Sequence, residues 1–334
     1  MKQEILKTEK AITLVKETFA GELSRQLSLV KVSSPIAVLD GTGINDDLNG
    51  IERPVTFPVK ALEDKKAVVV HSLAKWKRLR LKQLDMEPGT GILTDMRALR
   101  PDEDFTALHS IYVDQWDWEQ RILPGERTLS RLMETVRKIY SALRETEKVV
   151  HEHYPQIEPV LPPEITFIHS EELVRSYPSL SPREREYEAT KKYGAIFIIG
   201  IGGQLSNGER HDGRAPDYDD WSSLNEDGFY GINGDIIVWN PVLQCAFELS
   251  SMGVRVDKEA LIRQLEVRDC EDRSLLTFHS MLLAGELPES IGGGIGQSRV
   301  CMFMLKKRHI GEVQVSIWPE QEMIKLAAAG VTLL

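Results

Sequence analysis

The chain has 334 residues, 42% of them hydrophobic and 28% charged, with a formal net charge of −10. Such a composition describes a globular protein with chain enough for a substantial core, and its acidic balance argues against a broad nucleic-acid or membrane-surface footprint. No window approaches the ~20 apolar residues of a membrane span, and Met1-Lys2-Gln3-Glu4 lacks the apolar core of a secretory signal. Cys245, Cys270 and Cys301 are too few and too widely spaced for a disulfide framework or a structural zinc site, so a reducing cytoplasm is the expected compartment.

In chain order, Ile12, Val15, Phe19, Leu23 and Leu27 recur at helical spacing and predict a helix from about 4 to 27. Leu29, Val30 and Val32 predict a strand stopped by Ser33-Ser34-Pro35. The polar, turn-rich stretch 40–50 predicts a loop, with the acidic pair Asp46-Asp47 in it. Residues 54–60 and 67–71 predict a hairpin turning at Glu63-Asp64-Lys65-Lys66. A basic stretch, Ser72 to Lys82, predicts a short solvated helix with Ser72 as N-cap and one functional lysine.

Two strands follow, Gly91 to Arg100 and His109 to Glu119. Alternation in the second puts Ile111, Val113, Gln115, Asp117 and Glu119 on one face. Polar residues continuing an apolar face are expected only where that face lines a polar pocket. Leu129 to Val150 is a long amphipathic helix; 166–169 is a short strand; 170–177 and 181–192 are helical; 195–200 is a buried strand. Gly200-Ile201-Gly202-Gly203 lacks the following apolar helix and the acidic residue of a dinucleotide fold, which excludes that reading. Asp217-Tyr218-Asp219-Asp220-Trp221 predicts an acidic, aromatic loop. The strands 234–239 and 245–251 place Asp235 and Glu248 where they face each other, a pair of hard oxygen ligands suited to Mg²⁺ held with phosphates. Helices are expected at 257–268 and 274–284.

Gly292-Gly293-Gly294-Ile295-Gly296-Gln297-Ser298-Arg299 fits G-x-G-x-G-x-x-R and leads into the apolar run Val300 to Leu305. It has two readings. One is a Gly-rich turn before a buried helix. The other is a nucleotide site, in which glycines around Gly294 let the backbone approach a ligand and Arg299 offers a planar cation. Numerous strands joined by hairpins, with helices between groups, predict an α+β fold with an antiparallel β-sheet flanked by helices.

These residues resemble the class II aminoacyl-tRNA synthetase catalytic core. The first helix, strand and Pro35 are similar to its first motif, Arg100-Pro101-Asp102-Glu103 through Asp117 to its second, and Gly292 to Arg299 to its third. A closer resemblance is to aspartate–ammonia ligase, the ammonia-dependent asparagine synthetase family. His71-Ser72-Leu73-Ala74-Lys75-Trp76-Lys77, Asp114-Gln115-Trp116-Asp117-Trp118-Glu119, Ala215 to Trp221 and Phe247 to Gly253 carry it, and with His309-Ile310-Gly311 it covers essentially the whole chain. It implies one class II-like catalytic domain over 1–334, a homodimer, and ATP-dependent synthesis of L-asparagine from L-aspartate and ammonia through β-aspartyl-AMP, releasing AMP and pyrophosphate.

For individual residues the resemblance implies that Arg100 takes the α-phosphate and that Asp235 and Glu248, with Ser251 nearby, hold Mg²⁺ on the triphosphate of ATP, and the same resemblance gives the remaining site residues their roles. Arg299 lies against adenine, with Gly294, His109, Ser110, Tyr218 and Asp219 around the nucleotide. Lys77, Arg100 and Arg255 meet the carboxylates of aspartate, while Asp46, Gln115 and Asp117 meet its amine, and Ser251 completes the substrate pocket. Asp46 is the expected base for ammonium. A tRNA-charging ligase is disfavoured by the net charge and by the lack of a stretch for an anticodon-binding domain. A glutamine-dependent synthetase is disfavoured because Met1-Lys2 offers no N-terminal nucleophile, and a non-catalytic paralogue because Arg100, Asp235, Glu248 and Arg299 are all present.

Overall fold

The structure, a computed structural model, describes residues 2–46 and 52–334, and its elements and sheets are those of the described residues. Helix α1 (Lys2–Leu27) buries Ile12, Val15, Phe19, Leu23 and Leu27 along one stripe, as its 3.6-residue spacing requires. Strand β1 (Leu29–Lys31) follows directly. Strands β2 (Ala37–Leu39), β3 (Thr56–Val59) and β4 (Lys65–Val69) form a small antiparallel sheet in the order β2-β4-β3. The expected hairpin is therefore present with an additional strand. Its turn is earlier than expected, because Glu63 and Asp64 adopt left-handed φ and Lys65 and Lys66 already pair with β3.

Helix α2 (Ala74–Gln83) departs from expectation. It is not a solvated basic helix: Lys75, Lys77 and Arg78 are buried, and Leu73 rather than Ser72 holds the N-cap position. Ser72 Oγ instead accepts a hydrogen bond from the Ala74 amide at 3.2 Å. The physical reason is that each buried cation meets fixed acceptors from distant chain. Arg78, for example, donates to the carbonyls of Val256 and Pro288 at 2.7 and 2.8 Å.

The remaining strands and α-helices are β5 (Gly91–Leu99), β6 (Tyr112–Arg121), α3 (Leu129–His153), β7 (Thr166–His169), α4 (Ser170–Ser176), α5 (Pro182–Tyr193), β8 (Ala195–Ile199), β9 (Asn233–Asn240), β10 (Cys245–Val254), α6 (Lys258–Val267), α7 (Thr277–Leu283), β11 (Ser290–Gly296), α8 (Gln297–Met304) and α9 (Glu320–Ala328). Eight strands form one sheet in the order β1-β5-β6-β11-β10-β9-β8-β7. Its centre, β5 to β8, is antiparallel as expected, whereas β1 and β7 join the two edges in parallel.

Alternation sorts this sheet into two chemically opposite faces. Trp116 and Trp118 of β6 point into a dry core with α1, α3 and α8, where the Phe19 and Trp116 rings lie 4.6 Å apart. Gln115, Asp117 and Glu119 point the other way. The glycine run 292–296 is neither turn nor loop but the central strand β11, paired on both sides. Ile291 and Ile295 give it a core face, and Gly292, Gly294 and Gly296 leave the other face bare.

Candidate active site

Every residue to which the resemblance gives a site role lines one cavity of about 530 Å³ on the polar face of the sheet. Its floor is a cross-strand row. Asp117 of β6 stands opposite Gly294 of β11, Gly294 opposite Ser251 of β10, and Ser251 opposite Asp235 of β9. The next row carries Glu119, Gly292 and Gly253. Glycine is required at two of these positions because neighbouring side chains lie flat across the strand. A Cβ on Gly294 would sit 2.5 Å from Gln115 Oε1 and 3.0 Å from Asp117 Oδ1; one on Gly292 would sit 1.9 Å from Glu119 Oε2 and 2.6 Å from Arg255 Nη2.

At one end of the floor the charges are buried and already paired. Lys77 Nζ donates to Asp117 Oδ1 at 2.7 Å and to the Gly293 carbonyl at 2.8 Å. Burial lowers the Lys77 pKa, and Asp117 works against that shift. Asp117 Oδ2 is buried with no hydrogen-bond partner among the described residues, an open acceptor at the cavity floor. Arg255 forks onto Glu119, with Nη2 at 2.7 Å and Nε at 3.0 Å, and its Nη1 donates to Asp219. Burial lowers the Arg255 pKa, but Glu119 and Asp219 outweigh it, so this cation is permanent. Tyr218 lays its ring 5.8 Å from the same guanidinium.

Arg100 differs from these cations. Its side-chain hydrogen bonding among the described residues is one long bond, Nη2 to the His71 carbonyl at 3.4 Å, and its Nε is buried without a partner there. It is a cation in the cavity that no carboxylate among the described residues pairs with.

Farther along, Arg299 projects from the first turn of α8, as its position before the apolar run predicts. Its Nη2 donates to His109 Nε2 at 2.7 Å, and its Nη1 lies 3.5 Å from Glu248 Oε2. An imidazole nitrogen that accepts from a guanidinium is unprotonated. Nδ1 therefore carries the proton and donates to Thr106 Oγ1 at 2.9 Å. Burial, with Arg299 adding, lowers the His109 pKa to about 4. The start of α8 is fixed from outside: Asp114 Oδ1 accepts from the Ser298 amide at 3.0 Å and its hydroxyl at 2.6 Å, satisfying an amide left unpaired at a helix start. Ser110 donates to Gln314 Oε1 at 2.7 Å, and Gln314 Nε2 donates to Ser298 Oγ at 3.1 Å.

Asp235 and Glu248 do not stand opposite one another, contrary to expectation. The register places Ser251 across from Asp235 and Ile237 across from Glu248, with a β-bulge between Glu248 and Ser250. The extra residue of the bulge brings Glu248 and Ser251, three apart, onto one face. Both carboxylates thus line the cavity, and the charge of Glu248 reaches Asp235. Burial pushes the Asp235 carboxyl up, Arg214 opposes the rise and Glu248 adds to it. No cluster of three or more His, Cys, Asp or Glu suited to a metal occurs among the described residues. Two carboxylates and the Ser251 hydroxyl are nonetheless hard oxygen donors, a set that fits Mg²⁺ when phosphates complete its shell.

Asp46 is buried at the rim, in a loop packed on α7. The Phe278 amide donates to the Thr42 carbonyl at 3.2 Å, and a Cβ on Gly43 would meet the His279 ring at 2.8 Å. His279 Nε2 and Lys75 Nζ in turn reach Asp217 Oδ2 at 2.9 and 2.8 Å. Burial would raise the Asp217 pKa, but Lys75 and His279 hold it well below the usual carboxylate range. Asp47 and the loop as far as Ile51 lie outside the described residues.

The sequence assigns no role to Arg214 or Gln314, and it places Glu119 on the polar face without a role. Glu119 shares the alternation of Gln115 and Asp117, and that signal marks it. Arg214 and Gln314 lie in irregular segments whose periodicity carries no direction.

The fold is that of the class II aminoacyl-tRNA synthetase core. The asparaginyl-tRNA synthetase of Pyrococcus horikoshii, solved with asparaginyl-adenylate, matches 93% of this chain and 70% of its own with a TM-score of 0.68, at 14% identity. Within that fold, the sequence model of aspartate–ammonia ligase matches residues 6–330. The aspartate–ammonia ligase of Parabacteroides distasonis is 58% identical over 327 residues, 98% of this chain and 95% of the relative. That of Bacteroides fragilis is 56% identical over 331 residues, 99% and 96% of the two chains. This chain belongs to the aspartate–ammonia ligase family.

Proposed function

We propose that this protein makes L-asparagine from L-aspartate and free ammonia, converting ATP to AMP and pyrophosphate through β-aspartyl-AMP. The family match over nearly the whole chain carries this reading, and the cavity supplies groups suited to each step.

A carboxylate is a poor acyl donor because oxide is its leaving group. An oxygen of the aspartate β-carboxylate attacks the α-phosphorus of ATP; the new O–P bond forms as the bond to the bridging oxygen of pyrophosphate breaks. Such a step needs positioning and charge neutralisation more than covalent help from the protein. Arg100, a guanidinium without a carboxylate partner among the described residues, suits the α-phosphate. Arg299 at the start of α8 suits the adenine ring, beside His109, Ser110, Gly294, Tyr218 and Asp219. When bound, Mg²⁺ neutralises triphosphate charge, and Asp235, Glu248 and Ser251 are the residues that would hold it.

The amino-acid end uses the paired charges. The open Asp117 Oδ2 and Gln115 accept from the substrate ammonium, with Lys77 and Arg255 facing its carboxylate. In the second step ammonia adds to the acyl carbon, and the carbon–oxygen bond to AMP breaks. Ammonium predominates near neutrality and is not a nucleophile, so its proton must leave. Asp46, at the rim, is the proposed acceptor. A homodimer built through the region of α1 and β1, and a cytoplasmic location, belong to the same reading; all three cysteines are free.

Aspartate-dependent exchange of pyrophosphate into ATP, followed by a choice of ammonium, glutamine or tRNA as acceptor, tests it. Exchange with ammonium as acceptor is expected. Absence of exchange overturns the enzyme reading, and acyl transfer to tRNA overturns the substrate.

A further inference from the structure

Arg214 had no role in the sequence reading, yet it sits where the proposed metal ligands converge. Its Nη2 donates to Asp235 Oδ1 at 2.6 Å and its Nη1 to Ser251 Oγ, while Nε lies 3.7 Å from Asp219 Oδ2. The Arg214 and Asp235 side chains are 10% and 9% exposed. Its main chain is clamped: Arg268 Nη2 donates to the Arg214 carbonyl at 3.0 Å and to the Gly202 carbonyl at 3.1 Å. Gly202, at φ +116°, leaves room for the Arg214 Cβ, which would lie 2.7 Å from any Cβ added there. Nε is buried without a hydrogen bond among the described residues, so the guanidinium keeps one donor in reserve.

The oxygens that Arg214 occupies, Asp235 Oδ1 and Ser251 Oγ, are the donors a cation bound to the triphosphate would need. Cation and guanidinium cannot both hold them fully. We propose that Arg214 is the resident counter-cation of Asp235 in the nucleotide-free enzyme, and that it releases Asp235 to a divalent cation only when a nucleoside triphosphate enters. A tethered guanidinium acts at high effective concentration, whereas a lone divalent ion finds two carboxylates and a hydroxyl, too few protein ligands to displace it. The triphosphate changes both sides of this competition. It adds oxygen ligands for the ion and offers the released guanidinium new acceptors on the phosphates. Divalent ion and nucleotide therefore bind together rather than in sequence, and Arg214 is the positioning residue that couples them. This inference rests on Asp235 and Glu248 being the metal ligands.

The test is a titration of the full-length protein with Mn²⁺, free ion being read by electron paramagnetic resonance, with and without ATP. Wild type is expected to bind Mn²⁺ weakly alone and tightly with ATP. In Arg214→Met, removing a positive charge a few ångströms from the carboxylate raises Mn²⁺ affinity without ATP by about tenfold or more, and adding Asp235→Asn abolishes the gain. Arg214→Lys, which keeps a cation and tolerates any packing demand better, is expected to fall between. Unchanged Mn²⁺ affinity in Arg214→Met without ATP, while Asp235→Asn still weakens binding with ATP, overturns the coupling and leaves the metal site standing. If Asp235→Asn and Glu248→Gln both bind Mn²⁺ with ATP as wild type does, the metal-site reading falls and the coupling with it.

Discussion

Asp117 and Asp235 stand in one cross-strand row, separated by Gly294 and Ser251. Three strand spacings put them about 14 Å apart, a span suited to an amino acid joined to a nucleotide phosphate. Asp117 is paired with Lys77 and Asp235 with Arg214, so each end of the row carries its own counter-cation. Between them the floor has no side chain at Gly294.

That gap makes Gly294 a sensitive position. In Gly294→Ala the added methyl strikes Gln115 Oε1 and Asp117 Oδ1, both ends of side chains rather than backbone. The protein is expected to fold, while displacement of these groups lowers kcat/KM about 100-fold. Steady-state kinetics beside a thermal melt checks both halves; near-wild-type activity would mean the two side chains do not position substrate.

Arg100→Gln is expected to separate chemistry from stability. Among the described residues the Arg100 side chain makes a single 3.4 Å bond to a carbonyl, so its loss barely moves Tm. Pyrophosphate exchange should fall about 100- to 1000-fold, as when a charge-stabilising donor is removed from a transition state. A large drop in Tm would instead assign Arg100 to the scaffold.

Lys77→Met tests the opposite kind of residue. It leaves Asp117 buried beside an apolar side chain, and breaking such a pair costs about 3–5 kcal/mol. Equilibrium denaturation should show that loss, and Asp117→Asn in the same chain should recover part of it. No recovery in the double variant would argue that the two charges are not energetically coupled.

His109 sets an acid limit on stability. Its folded pKa, about 4, lies below the ordinary 6.5, so between those values the folded protein binds fewer protons than the unfolded chain. Its contribution is complete above about pH 6.5 and is lost as pH falls through about 4. Tm against pH should fall less steeply in His109→Gln over that window than in wild type. Parallel curves would mean that His109 titrates normally.

Asp46→Asn divides the two half-reactions. Exchange of pyrophosphate should persist, because adenylation needs no base at the rim, whereas asparagine formation at neutral pH should collapse. Full asparagine formation with normal exchange would remove Asp46 from the mechanism.

The sequence by itself determined the helices with a 3.6-residue stripe, the alternation that turned Gln115, Asp117 and Glu119 away from Trp116 and Trp118, and the family. Each of these is written locally, in spacing or in contiguous motifs. It also named residues that all reach one cavity, since the motifs quoted together carry them. Only the tertiary structure decided how those residues are paired. The glycine run became a central strand because β6 and β10 flank it, and no local signal distinguishes a turn from a strand in a chain without side chains. The bulge in β10 shifted Glu248 relative to Asp235, a register effect visible only against β9. Lys75, Lys77 and Arg78 became buried because Asp217, Asp117 and two carbonyls arrive from 142, 40, 178 and 210 residues away. Arg214 reached Asp235 from an irregular segment. A charge is read as solvated until its partner is known, and here the partners are set by the fold.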